Sequence, residues 1–413
     1  MGRRSTPARD TARDAAWDAL MDRLQQVGLL DGHGPMAGRM LARVFTHSSY
    51  RHIDHDVLME SWRRNLSVSV DGVRARRDPG PDDDDTPLRE VGEDRARQGV
   101  GVAEMLQTSM QHQRIFVDLV REYAPPSPYR DSLLLELFST KQAWSAWSMV
   151  ALAAGHREAE LEMQRRAQED RDGFVRRIIA GSIAASEIGT GAEAYGLDRE
   201  RHYRAFRARP APGTDSVRTM ERYLRVAETG ERRNGMMALI DGDLCGFVAV
   251  LPGEPPPTAV GVSPPVPLHG LPAVFRLATR AMETALAMGR REVVGLADLG
   301  LHPAVLADHD LGELLHERFV APLDREAGGS GAAILETVEC YLRNGNRIEA
   351  TRQQLFLHTN TVRYRLSRFE SITGCSLRDN DDLVQVWWAL AWDRLHRAVH
   401  RGGEGGAYRD AAG

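Results

Sequence analysis

Apolar residues change their spacing twice along this chain. Up to about residue 190 they recur at helical spacing, as in Val57, Leu58, Trp62, Leu66 and Val70. From about residue 200 they gather into short runs, and beyond residue 333 helical spacing returns. Helical spacing is typical of α-helices, whereas short apolar runs are typical of β-strands. The two patterns predict a multidomain, mainly α protein with a helical N-terminal bundle, a small α/β middle domain and an all-α C-terminal domain.

The middle region is expected to form a ferredoxin-like sandwich. Asp241-Gly242, a common hairpin dipeptide, separates two apolar runs. The predicted strands are residues 236–240, 245–250, 258–262 and 293–296, and the predicted helices are residues 217–226 and 271–288. This approximate order, β-α-β-β-α-β, is that of a split βαβ fold.

Length and composition restrict the class of protein. A chain of 413 residues is too long for one hydrophobic core. No apolar run approaches the roughly 18 residues that a membrane helix needs, and residues 1–14 are too polar for a secretory signal. Cys245, Cys340 and Cys375 lie far apart and form neither a disulfide framework nor a metal-binding pair. We expect a reduced, cytoplasmic protein that does not contact a membrane.

Composition shifts also suggest domain boundaries. Residues 130 to about 186 predict one or two long helices, nearly all charge and alanine over 156–172; such a helix often bridges domains, plausibly in a dimer. The glycine-rich residues 325–332 predict a flexible linker. The predicted parts are a helical sensory domain at 1–165, a connecting helix at 166–190, an α/β domain at 191–300, a helix and linker at 301–333, a C-terminal helical domain at 334–401 and a flexible tail at 402–413.

Residues 346–371 predict two helices around a tight turn. The first helix is expected at about 347–355 and the second from Thr359, a good N-cap residue. Val362, Leu366 and Phe369 then fall on one apolar stripe. The opposite face and its flanks carry amides, hydroxyls and guanidinium groups, which hydrogen-bond base edges and phosphates in a major groove. The predicted DNA-binding residues are Thr359, Asn360, Thr361, Arg363, Tyr364, Ser367 and Arg368.

Local charge supports this interpretation. Residues 343–368 hold six arginines and one acidic residue, Glu349, inside a chain of net charge −5. Lys141 is the only lysine of the chain, and this arginine excess looks like a coding bias, so single arginines are weak evidence by themselves. A basic helix-turn-helix suits a phosphate backbone. An ordinary helical hairpin with a solvated arginine face is the structural alternative.

The same segment closely resembles the C-terminal helix-turn-helix of the PucR/CdaR family of bacterial transcriptional regulators. The resemblance runs from about Ile334 to Leu395 and centres on the string H-x-N-T-V-x-Y-R-L, which begins at His358. Phe356 and Cys375 depart from the pattern at positions that we expect to vary. In that family the segment binds operator DNA, so the resemblance implies double-stranded DNA as a partner.

Two upstream segments resemble other parts of these regulators. Residues 261–301, which end in Asp298-Leu299-Gly300-Leu301, are similar to the family's degenerate GGDEF-like domain. The N-terminal stretch, with Trp62-Arg63-Arg64-Asn65 and residues 95–106, resembles the helical domain shared with RsbR-type stress-signalling proteins. The resemblance implies a homodimer or higher homo-oligomer that responds to a small-molecule or protein signal.

Three other groups of residues have simpler explanations than a chemical site. A cyclase would need paired glycines and acids at the hairpin tip, whereas Asp241 and Asp243 are expected to be turn residues. His47, His52 and His55 are weak metal-ligand candidates beside Asp54 and Asp56, one of which we expect to cap a helix. The cysteines are expected to be buried and inert, and Trp387, Trp388 and Trp392 to be core or dimer contacts on a helix capped near Asn380.

The sequence therefore predicts a one-component, sequence-specific DNA-binding transcriptional regulator. It predicts no enzyme activity, no cofactor and no metal, because no nucleophile–base pair or metal constellation stands out. A stress-signalling scaffold whose helix-turn-helix contacts proteins remains the alternative.

Overall fold

The structure is a computed structural model that describes residues 7–44, 48–210, 216–226, 233–325 and 330–407. His47 and residues 408–413 of the predicted tail lie outside this part of the chain. The chain divides into two compact units, Met1–Gln168 and Glu169–Gly413.

The first unit is a bundle of helices. Its helices are α1 (Pro7–Gln26), α2 (Gly34–Val44), α3 (His55–Arg74), α4 (Thr86–Arg97), α5 (Val102–Tyr123) and the first part of α6 (Arg130–Ala180). Trp17, Leu24, Phe116, Leu137 and Trp144 are buried in one apolar core. This confirms the helical fold predicted for this region.

Glycine sets the spacing between α4 and α6. A Cβ atom on Gly92 would lie 2.1 Å from the Leu152 carbonyl oxygen, and one on Gly155 would lie 2.1 Å from the Arg89 carbonyl oxygen. Only residues without a side chain allow backbones to approach this closely. The crossing therefore depends on both glycines.

Helix α6 runs without interruption through 51 residues. Most side chains between residues 160 and 170 are exposed, in line with the polar stretch noted in the sequence. Lys141 is half-buried on this helix and donates a 2.9 Å hydrogen bond from Nζ to Ser69 Oγ. Desolvation of the ammonium group lowers the pKa of Lys141 to about 8.

The second unit begins with a mixed sheet. Its strands are β1 (Arg204–Ala208), β2 (Gly235–Ile240), β3 (Asp243–Val248), β4 (Val260–Val262) and β5 (Val293–Gly295), in the spatial order β2-β3-β1-β4-β5. Among the described strands, only β4 and β5 pair in parallel, and α9 (Leu271–Ala287) connects them. Helix α7 (Ala185–Ala194) precedes the sheet and α8 (Ser216–Leu224) follows β1.

The sheet differs from the predicted β-α-β-β-α-β order. The predicted order began with a strand to which no residues were assigned. Strand β1 occupies that place, and the observed order among the described residues is β-α-β-β-β-α-β. The β1 sequence, RAFRA, has two arginines and two alanines, so its burial comes from its central place in the sheet. The hairpin at Asp241-Gly242 is confirmed, with φ angles of 51° and 81° that suit a type I′ turn.

The C-terminal part of the second unit is helical. Its helices are α10 (His302–Ala307), α11 (His309–Phe319), α12 (Ala321–Asp324), α13 (Ser330–Arg343), α14 (Ile348–Leu355), α15 (Thr359–Thr373) and α16 (Asn380–Ala407). Phe319 and Leu323 pack with α13, α15 and α16. Residues 330–332 of the predicted linker and 402–407 of the predicted tail are helical instead. In the part of the chain that the structure describes, no helix is long and apolar enough to cross a membrane.

Candidate DNA-binding site

The N-cap residue of helix α15 differs from the predicted one. His358 holds the N-cap position, and its Nδ1 accepts a 3.2 Å hydrogen bond from the Asn360 backbone N–H. Thr359 is instead the first helical residue. The prediction failed because an imidazole nitrogen can accept the same bond as a hydroxyl, although capping preferences favour Thr. The helix ends at Gly374, whose φ of 70° is a left-handed C-cap.

One face of α15 is anchored in the protein. Val362, Leu366 and Phe369 are buried, which confirms the predicted apolar stripe. They lie in the same core as Ile334 and Val338 of α13. Burial of three large side chains fixes the rotation of α15 about its own axis, so the opposite face must point outward.

The opposite face presents most of the residues predicted to bind DNA. Asn360, Arg363, Tyr364, Ser367 and Arg368 are exposed, and Tyr364 retains 67% of its accessible surface. Thr359 and Thr361 are half-buried at the start of the helix. The structure therefore brings the predicted residues together on one surface, and their contact with DNA stays a prediction.

Several arginines counted with this segment have structural partners. Arg365 donates from Nη1 to the Ala333 carbonyl oxygen at 3.3 Å and to Thr337 Oγ1 at 3.1 Å, which ties α15 to α13. Arg352 pairs with Glu349 at 2.5 Å, and Arg343 pairs with Glu339. The positive charge available to a ligand is thus smaller than the sequence count suggests.

The turn between α14 and α15 contains an unusual residue. Phe356 has a φ of 56°, in the left-handed region, and its side chain is 95% exposed. Its backbone N–H donates to the Gln353 carbonyl oxygen at 3.4 Å, and that of Leu357 to the Arg352 carbonyl oxygen at 2.9 Å. The turn is thus closed by backbone bonds, as at other helix C-termini.

The residues that the sequence offered as weak metal-ligand candidates have structural roles. Asp54 caps α3, with its Oδ1 accepting from the Asp56 N–H at 2.8 Å, as predicted. His52 Nε2 lies 2.8 Å from the Gln98 carbonyl oxygen. Among the described residues, no group of three or more His, Cys, Asp and Glu side chains could hold a metal ion.

Asp243 is a strand residue and not, as predicted, part of the turn. Its carboxylate is buried and accepts hydrogen bonds from Arg207 Nε at 2.8 Å and Arg209 Nε at 2.9 Å. Burial opposes ionisation, yet the bonds from the two guanidinium groups outweigh it and hold the pKa of Asp243 below its usual 3.8. Asp241 does occupy the hairpin turn.

The cysteines and tryptophans are packing residues. Cys245, Cys340 and Cys375 are buried free thiols, as predicted, and burial raises the pKa of Cys245 to about 11. Trp392 stacks on His396 and His309, with ring centroids 4.4 and 5.5 Å away. The cap of α16 is Asp379, whose Oδ1 accepts from the backbone N–H groups of Asp381 and Asp382.

These contacts define the class of protein. Helices α13–α16 form a helix-turn-helix module in which α14 and α15 are the two helices around the turn, and α15 exposes a polar face. Comparison with known proteins agrees with this class. The model of the PucR C-terminal helix-turn-helix domain matches residues 334–392. The model of the RsbT co-antagonist protein rsbRD N-terminal domain matches residues 34–171.

Curated relatives include two named regulators. The purine catabolism regulatory protein of Bacillus subtilis is 36% identical over 63 residues, which is 15% of this chain and 12% of that protein. The carbohydrate diacid regulator of Escherichia coli is 31% identical over 90 residues, covering 22% of this chain and 23% of that protein. An uncharacterized protein of Mycobacterium tuberculosis is 31% identical over 186 residues.

Coverage of these relatives is partial. The matched segment of the Mycobacterium tuberculosis protein spans 40% of this chain and 44% of that protein. The two domain matches and the named regulators nevertheless agree with the sequence motifs. Residues 334–392 are thus similar to the PucR C-terminal helix-turn-helix domain, and residues 34–171 are similar to the rsbRD N-terminal domain, in agreement with the resemblance to PucR/CdaR-type regulators.

Proposed function

We propose that this protein regulates transcription by inserting α15 into the major groove of double-stranded DNA. The observation that carries the proposal is the division of α15 into a buried apolar face and an exposed polar face, with Asn360, Tyr364 and Arg368 exposed. An amide suits the edge of adenine, and a guanidinium suits guanine or phosphate. Thr359, Thr361, Arg363 and Ser367 complete the proposed contact surface.

A single module of this kind contacts few base pairs. We therefore propose that two copies of the chain bind paired half-sites as a homodimer, the usual arrangement for helix-turn-helix proteins. We assign signal reception to the N-terminal domain and a connecting role to the GGDEF-like sheet domain. An effector can act only by favouring one of two arrangements of the DNA-binding modules. The protein acts by binding and not by catalysis.

The test begins with the full-length protein and a random-sequence DNA duplex library. Repeated selection for bound duplexes is expected to enrich one motif, and its affinity is then measured by fluorescence anisotropy at several salt concentrations. Arg368→Ala should lower the affinity about tenfold and reduce the salt slope by about one, because an exposed cation that meets a phosphate is lost. Circular dichroism should remain unchanged.

Arg397→Ala is the matched control. Arg397 is an exposed arginine on α16 that pairs with Asp393 of its own helix at 2.8 Å. Its removal should leave DNA affinity within about twofold of wild type. Wild-type affinity in Arg368→Ala would contradict the assignment of α15, and failure of the wild-type protein to enrich any sequence would favour the interaction scaffold.

A further inference from the structure

The first unit contains a cavity that the proposed DNA-binding role does not use. It lies among α2, α3, α4, α5 and α6 and encloses about 640 Å³ not filled by protein atoms, part of it open to solvent. Most of its wall is apolar, with Met40, Met59, Trp62 and Met105 among the lining residues.

One charged group lies in this apolar wall. Arg95, on α4, is only 5% exposed and lines the cavity. It shares the buried face of α4 with Leu88 and Val91, so its position follows from helical spacing. A buried guanidinium without an anion is costly, since desolvation removes its water without replacing it.

The contacts of Arg95 leave most of its hydrogen-bonding capacity unused. Its Nη1 donates to Gln98 Oε1, and its Cζ lies 5.9 Å from the centroid of the Tyr50 ring. Among the described residues Asp94 attracts the guanidinium electrostatically but does not form an ion pair with it. A guanidinium offers five N–H donors in a planar fork. Burial lowers the pKa of Arg95, but arginine remains protonated at neutral pH.

A second polar group of the cavity, the Thr108 hydroxyl, is buried and lacks a hydrogen-bond partner among the described residues. It lies near the Tyr50 phenol but does not meet hydrogen-bond geometry with it. Asn65 lines the same space. A buried polar group without a partner requires an explanation, and Thr108 lines the same cavity as Arg95.

We propose that this cavity binds a small organic acid, with its carboxylate on Arg95 and its apolar body against the methionines and Trp62. A guanidinium pairs with a carboxylate through two parallel hydrogen bonds. One cation in a largely apolar wall suits a single negative charge better than a phosphate. The inference rests on the proposed sensory role of the N-terminal domain and names the ligand class that this domain recognises.

The experiment measures binding to the full-length protein by isothermal titration calorimetry. The probes are benzoate and hexanoate, with benzamide and hexanamide as uncharged counterparts of the same shape and inorganic phosphate as a third arm. At least one acid should bind about tenfold more tightly than its amide. Equal affinity of acid and amide, binding of phosphate alone, or no binding of either acid would overturn the proposal.

Two substitutions on α4 locate the interaction. Arg95→Met should weaken acid binding about tenfold, because the guanidinium is lost. Arg97→Met, two residues away at an exposed position paired with Glu93 at 2.7 Å, should retain wild-type affinity. Unchanged binding in Arg95→Met would overturn the site.

Thermal melting separates a ligand-binding arginine from a structural one. Without ligand, Arg95→Met should melt at the wild-type temperature or higher, because it removes an uncompensated buried charge. A clearly lower melting temperature, or a chain that fails to fold, would show that Arg95 is structural. DNA selection is measured separately, so failure of DNA binding would refute the proposed function without changing the acid-binding result.

Discussion

Phe356 adopts a conformation that its side chain disfavours. Left-handed backbone costs an L-residue roughly 1–2 kcal/mol, and glycine escapes this cost. Because the ring is 95% exposed, little packing depends on it. Phe356→Gly should therefore raise the free energy of unfolding by about 1 kcal/mol, measured by chemical denaturation.

Phe356→Ala is the appropriate comparison, since it removes the ring and keeps the Cβ atom. It should leave the stability of the protein nearly unchanged. A glycine variant no more stable than the alanine variant would show that the strain at φ 56° is not released in this turn.

Asp243 should make the stability of the second unit depend on pH. Its pKa is held below 3.8 in the folded protein, so its contribution is present above that value and is lost as the pH falls below it. Asp243→Asn should cost about 2 kcal/mol at neutral pH, because charge-assisted bonds are lost. Urea unfolding at several pH values measures the difference, which should shrink in acid.

Asp241→Asn serves as the control for this series. Asp241 occupies the hairpin turn with a φ of 51°, a conformation that asparagine also tolerates. It should unfold like the wild type at every pH. An Asp243→Asn deficit that persists unchanged well below pH 3.8 would rule out the carboxylate as its source.

At the level of elements, periodicity predicted the orientation of α15 correctly. Val362, Leu366 and Phe369 lie about one helical turn apart from each other in succession, and hydrophobic burial fixed them inward. The same reasoning could not find β1, where Phe206 is the one strongly apolar residue between arginines and alanines. It also could not find the buried Arg95, since charge predicts exposure and only the packed bundle reverses that expectation.

Adjacent residues of α15 should respond in opposite ways to the same substitution. Leu366→Asp places a charge in the core of the helix-turn-helix module and should cost several kcal/mol, enough to unfold the module. Ser367→Asp is exposed and should leave the helical circular dichroism intact while weakening DNA binding by charge repulsion. A folded, DNA-binding Leu366→Asp protein would contradict the orientation of the helix.

At the scale of the whole molecule, the sheet and the helix-turn-helix module of the second unit share a contact. Ala287 of α9, Val305 of α10, and Ala391 and Leu395 of α16 form one buried cluster. These residues were not predicted as partners because their contact joins elements distant in sequence. Through this cluster the sheet domain packs directly against the last helix of the DNA-binding module.

Val305→Asp should disrupt this buried cluster while leaving each module folded. The wild-type second unit is expected to unfold in one calorimetric transition, and the variant in two, because the shared apolar cluster no longer couples them. Val305→Leu, which keeps the site apolar, is the control. Two transitions already present in the wild-type unit would show that the cluster does not couple the modules.

The single lysine of the sequence makes proteolytic cleavage a local measure of unfolding. Lys141 lies inside the continuous helix α6, with its ammonium group bonded to Ser69. A lysine-specific endoprotease therefore has one site to cut, and a helical backbone does not fit a protease cleft until it opens. The rate at which the intact chain disappears would report the opening of the N-terminal bundle alone, and a bound effector would reveal itself by slowing that digestion.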